Sequence, residues 1–167
     1  MVTLEKYAGF VNKNKKIAII LMIFLVGFVV FLVFKRRKWQ AKAPNYPKTP
    51  GRHFQLGYHN GIDYYAPENS PILAIEKGIV ESVGNGCMVG DNDCNGQRGN
   101  YVLIDHENGY KSIYLHMTKT IAKQGDKVRK GEKIGFMGTT GFSTGVHLHL
   151  SVTKNGNYID PETLFNT

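Results

Sequence analysis

From Leu56 onward the chain alternates short apolar runs with glycine-rich polar breaks, and no stretch repeats its apolar residues at helical spacing. Runs of this length, rich in β-branched and aromatic residues and bounded by turn formers, predict strands. Six follow: Ile72–Ile75, Gly78–Val83, Tyr101–Asp105, Lys111–His116, Lys133–Met137 and His147–Val152. Glu107-Asn108-Gly109 and Lys154-Asn155-Gly156 supply turn chemistry between them. The predicted fold class is mainly β: a compact antiparallel sheet domain over residues 55–167, with its site on one sheet face or in a groove between loops.

The pattern changes character at the other end. Ile17–Phe34 is a run of 18 residues without a charge, and at about 1.5 Å per residue it spans roughly 27 Å, the thickness of a bilayer's hydrocarbon core. It predicts one N-terminal transmembrane helix, preceded by a short basic tail, residues 1–16. A cleavable signal peptide competes, because Ala41-Lys42-Ala43 has a small-x-small pattern. Against it, the run exceeds the roughly 7 to 15 residues of a signal-peptide core, and Lys35-Arg36-Arg37-Lys38 intervenes. Residues 35–54, with Pro44, Pro47, Pro50 and Gly51, read as a basic, extended tether.

Charge narrows the partners. Of the net +8, residues 1–52 carry +10 and residues 53–167 carry −2. A nucleic-acid binder needs its cations on the folded domain; here they flank an apolar segment, where they meet lipid headgroups. Four cations precede that segment and seven follow it before His53, a bias that favours a cytoplasmic C-terminal domain.

The candidate chemistry is concentrated in histidines. His147 and His149 stand two apart in Val146-His147-Leu148-His149-Leu150, so on a strand both rings project from one face while the apolar neighbours turn to the packed side. His59 and Asp63 form an H-x-x-x-D pair, and His116 ends the apolar stretch Ile113-Tyr114-Leu115. A hydrolytic zinc takes three ligands from His and carboxylate and keeps a position for water. His59, Asp63 and one of His147 or His149 supply that set. Such a metal lowers the pKa of its water from about 15.7 to about 7, roughly 12 kcal/mol, far more than a lone histidine base contributes. The remaining histidines are then placed to orient that water, carry its proton and donate to the developing oxyanion.

These motifs, in this order, resemble the lysostaphin-type (LytM-like) zinc metallopeptidases, which cut peptide crosslinks in bacterial peptidoglycan. The likeness runs from about Gly57 to Phe165 and takes in Gly61-Ile62-Asp63, Gly125-Asp126-Lys127-Val128, Thr140-Gly141, Ser143-Thr144-Gly145 and Asp160-Pro161. The resemblance implies one zinc held by His59, Asp63 and His149, with His116 and His147 as catalytic histidines. Where the family often has an aromatic residue and a glutamate after H-x-H, this chain has Leu150 and Ser151.

Other features carry plainer expectations. Cys87 and Cys94 close a short loop, as a disulfide in an oxidising compartment or as free thiols. Asp91-x-Asp93-x-Asn95-Gly96 mimics the start of a calcium loop, but its twelfth position is Val102 rather than glutamate, so a polar turn is expected. His106 reads as a strand-end or turn residue, and His53 has no assigned role.

The function expected from sequence is a membrane-anchored zinc endopeptidase acting on peptidoglycan crosslinks or stems, with its domain on the exocytoplasmic side. Two alternatives stand beside it: a non-catalytic scaffold that binds wall peptide or activates a separate amidase, and the same peptidase carried in the membrane of a bacterial virus. The scaffold is disfavoured because all five site positions are intact.

Overall fold

The structure, a computed structural model, describes residues 41–165 together with Met22. The transmembrane helix expected at Ile17–Phe34 lies outside the described residues apart from Met22. Among the described residues no helix is long and apolar enough to cross a membrane.

Short strands dominate, as the alternating pattern predicts. They are β1 (Ile62–Tyr64), β2 (Pro71–Leu73), β3 (Gly78–Gly84), β4 (Asn100–Asp105), β5 (Tyr110–Thr120), β6 (Lys127–Val128), β7 (Lys133–Met137), β8 (Leu148–Lys154) and β9 (Asn157–Ile159), followed by a 3-10 turn at Pro161–Leu164. The sheet order is β1-β8-β5-β4-β3-β6, with β7 joining β5 to β2 and β9 extending from β8. Every pairing is antiparallel. β1, β6 and β9 are only two or three residues long, too short for an alternating pattern to register in sequence.

β8 is the strand on which the site depends. Ile62 and Tyr114 lie opposite Leu150 on its two sides. Together with Leu148, Val152, Val102 and Ile104 they are at most 1% exposed. Each such side chain contributes about 1.5–3 kcal/mol on burial. Because side chains alternate, the same strands present Asp63, His149 and Leu115 as cross-strand neighbours on the opposite face.

β5 does not end at His116, where the sequence pattern stops. It pairs with β8 through Leu115 and then with β7 from Met117. His116 makes the change of partner with φ +62°, a left-handed conformation that costs a non-glycine residue about 1 kcal/mol or more. The resulting bulge is held by Asn100, whose Nδ2 donates to the carbonyls of Met117 at 3.1 Å and Thr118 at 3.0 Å. Asn100 also exchanges hydrogen bonds with the backbone of Cys87, which is disulfide-bonded to Cys94.

Residues 41–54, expected to belong to an open tether, are extended but bound. Ala41 N–H donates to Leu164 O at 3.0 Å and Lys42 N–H to Ile75 O at 2.8 Å. Farther on, Tyr65 N–H donates to Pro47 O at 3.0 Å and Thr49 N–H to Asp63 O at 2.8 Å. Lys48 forms an ion pair with Glu162. The prolines that bar a helix here leave the intervening backbone groups free to pair along β1, which the sequence pattern did not reveal.

His106 stands at the end of β4, as expected, but it is 7% exposed and tied into a buried network. Nδ1–H donates to Lys77 O at 2.7 Å, Nε2 is hydrogen-bonded to Ser112 Oγ at 2.7 Å, and Ser112 Oγ to Tyr114 OH at 3.0 Å. Burial pushes the His106 pKa below its ordinary value, against the pull of the Lys77 carbonyl, Glu76 and Asp105. The unfolded chain therefore binds a proton more readily, so this contribution is present above about pH 6.5 and is lost as pH falls toward the lower folded value. Urea denaturation of wild type and His106→Gln should show a stability difference that narrows between about pH 7.5 and about pH 5.5. A difference constant across that range would show that His106 titrates alike in the folded and unfolded chain, with no lowering of its pKa by burial.

Candidate metal and catalytic site

The strand pairings bring all five predicted residues into one groove of about 420 Å³. Asp63 lies at its focus. Its Oδ1 is 2.8 Å from His149 Nδ1, 3.1 Å from His59 Nε2 and 3.9 Å from His147 Nε2. Burial works against the charge of this carboxyl. The hydrogen bond from His149 and the nearby His147, His149 and His59 outweigh it and hold the pKa below the usual carboxylate value.

Of the H-x-H pair, His149 is the one that joins His59 and Asp63. One ligand atom from each of these three lies within 4.8 Å of the others, and the ligand atoms of a tetrahedral zinc stand about 3.4 Å apart. The ring nitrogens turned away from the centre are already engaged. His59 Nδ1–H donates to His53 O at 2.9 Å, and His149 Nε2 is hydrogen-bonded to Ser151 Oγ at 2.9 Å. Each ring is thereby held with its other nitrogen toward Asp63, the orientation in which histidines hold zinc once that nitrogen is deprotonated. The residues present fit the metal.

Gly61 makes room for this cluster. A Cβ there would lie 2.5 Å from His149 Nε2 and 2.7 Å from Leu150 O, so no side chain fits between the Asn60-Gly61 backbone and the imidazole.

His116 and His147 face each other beside the trio, with ring centroids 4.8 Å apart. His116 Nδ1–H donates to Thr140 O at 2.9 Å, which leaves Nε2 as its free nitrogen. Burial, then the neighbouring His147, pushes its pKa down to about 4 despite the Thr140 carbonyl, so the ring is a neutral proton acceptor near pH 7. His147 Nδ1–H donates to Gly145 O at 2.8 Å, leaving Nε2 free as well. The groove walls carry Tyr58, Tyr65, Phe142, Thr49 and Arg52.

Several supporting residues escaped the sequence. The carbonyls of His53 and Thr140 act through the backbone and have no side-chain signature. Ser151 was noted only as a departure from a family pattern, although its place two positions after His149 puts it on the same strand face. Thr49 Oγ1 is buried and has no hydrogen-bond partner among the described residues.

The model of peptidase family M23 matches residues 57–161. The chain is 39% identical over 110 residues to the peptidoglycan DD-endopeptidase ShyC of Vibrio cholerae, covering 66% of this chain and 23% of ShyC. It is 41% identical over 103 residues to the DD-carboxypeptidase/endopeptidase Mpg of Neisseria meningitidis, covering 62% of this chain and 22% of Mpg. The chain thus spans less than a quarter of the length of either relative. Among solved structures, the catalytic domain of the antimicrobial peptidase lysostaphin from Staphylococcus simulans superposes with a TM-score of 0.58 at 30% identity, covering 71% of this chain and 91% of that domain.

Ser151→Ala removes the hydroxyl that holds the His149 ring without touching a candidate ligand atom. Its metal affinity, measured by competition with a chelating dye, should fall about tenfold or more. Unchanged affinity would mean that strand packing alone orients the ring.

Proposed function

The chain belongs to peptidase family M23, and from that membership and the geometry of its site we propose a zinc-dependent endopeptidase that hydrolyses peptide bonds in the crosslinks or stems of bacterial peptidoglycan. One observation carries the proposal: His59 Nε2, Asp63 Oδ1 and His149 Nδ1 converge in a groove, with the free nitrogens of His116 and His147 alongside. When bound, zinc activates water and polarises the substrate carbonyl. Every other part of the chemistry falls to the chain's own side chains.

His116 and His147 divide the proton work. Each has committed Nδ1–H to a backbone carbonyl, so each offers Nε2 to exchange a proton with the attacking water or the leaving amine. Their fixed orientation places those nitrogens before substrate arrives, which saves reorganisation during the reaction. The walls formed by Tyr58 and Phe142, 83% and 65% exposed, offer apolar faces to an extended peptide.

We also place the protein at a membrane, held by the apolar run Ile17–Phe34, with the domain on the exocytoplasmic side. The Cys87–Cys94 disulfide supports that side, because such bonds persist in oxidising compartments. It weighs against the charge bias of the flanking segments.

Metal analysis of the purified chain should find close to one zinc per chain, lost in His149→Ala. His116→Ala and His147→Ala should retain the metal while hydrolysis of purified peptidoglycan falls by about 10²- to 10⁴-fold. Wild-type rates in both variants would assign these histidines to packing and favour a wall-binding scaffold.

A further inference from the structure

The turn Thr49-Pro50-Gly51-Arg52 forms one wall of the groove yet belongs to neither the metal trio nor the histidine pair. It closes through Arg52 N–H to Thr49 O at 3.1 Å, with Gly51 at φ +71°. Proline at the second position and a left-handed glycine at the third define a type II turn. The turn clasps Asp63 from both backbone sides: Thr49 N–H donates to Asp63 O at 2.8 Å, and Asp63 N–H donates to Arg52 O at 3.2 Å. Its position relative to the metal trio is therefore fixed by the backbone.

The Arg52 side chain has no part in those bonds. Its guanidinium makes no hydrogen bond or ion pair among the described residues, whereas Lys48 and Lys111 have acidic partners. Arg52 is also the one lysine or arginine among the residues that line the groove. A second sign lies in the same turn, where the buried Thr49 hydroxyl has no partner. Buried hydroxyls in folded proteins are ordinarily satisfied, and an orphan at a groove calls for an explanation.

We propose that Arg52 is a specificity-determining residue that binds a substrate carboxylate adjacent to the scissile bond. The inference rests on the peptidase reading above and names the substrate chemistry of that same groove. A guanidinium presents paired N–H donors in the geometry of a carboxylate. A fixed backbone beneath it lowers the entropy lost when the pair forms. A carboxylate seated there would also bring an acceptor to the turn that holds the Thr49 hydroxyl. The groove thus favours peptides with a free acid at this position over those whose acid is amidated. Because the interaction exists before and throughout bond cleavage, it acts on binding and leaves the chemical step unchanged.

The test is steady-state hydrolysis by the full chain of two crosslinked wall peptides, identical except that the carboxylate beside the cleaved bond is free in one and amidated in the other. Wild type should prefer the free acid by about tenfold, expressed in KM, and lose that preference as salt rises. Arg52→Gln should raise KM for the free acid about tenfold, leave kcat within about twofold and treat both peptides alike. Arg52→Lys should retain part of the preference, because it keeps the charge and loses the fork. If Arg52→Gln keeps the wild-type preference, or loses metal and kcat together, the residue is a structural support of Asp63 and the proposal falls. If wild type hydrolyses neither peptide, the peptidase reading itself fails and takes this inference with it.

Discussion

The antiparallel pairing of β8 with β1 on one side and β5 on the other is the constraint from which the site follows. It sets Asp63 opposite His149 and Leu115 opposite His149, while Ile62, Tyr114 and Leu150 align on the other face. A sheet has a period of two, so a slip of one residue would exchange those faces. Asp63 and His149 would then enter the core, and buried leucine and isoleucine would face water. The same burial that stabilises the domain therefore forbids the registers that would scatter the candidate metal ligands. Stability and site geometry are secured by one pattern of contacts.

The site departs from regular structure where its chemistry requires it. His116 accepts an unfavourable left-handed φ and a burial that keeps its ring neutral. Both are costs, and the neighbouring structure offsets them. Asn100 satisfies the carbonyls that the bulge leaves unpaired, and the Thr140 carbonyl fixes the ring through Nδ1. The bend lets one strand serve two neighbours, β8 and β7, and it delivers His116 at the junction, next to His147. A straight β5 would have continued along β8 past Leu115 without turning toward β7.

Sequence disclosed the side chains of this site better than their supports. H-x-H on an alternating apolar strand and H-x-x-x-D beside a glycine are local patterns, and each reflects how neighbouring residues project. The strands whose inward faces are buried, such as β7 at Lys133–Met137, were legible for the same reason. The roles of the His53 and Thr140 carbonyls were not, because every residue has a carbonyl and only the folded path selects one. His106 looked like a turn residue because its partners, Lys77 and Ser112, come from other parts of the sequence. Prolines in residues 41–54 announced an extended chain correctly, but extension alone does not distinguish a strand's neighbour from a linker.

That bound segment changes where the domain begins. Family similarity starts at residue 57, whereas backbone hydrogen bonding to the sheet domain is already present at Ala41 and Lys42. Without residues 41–54, β1 would become a bare sheet edge, with the N–H and C=O of Asp63 and the N–H of Tyr65 unpaired and Ile62 and Tyr64 close beneath. An open edge of this kind invites pairing with another chain. Residues 41–54 thus cover that edge, and a fragment trimmed to the family boundary would carry all three candidate metal ligands on a sheet with an open side.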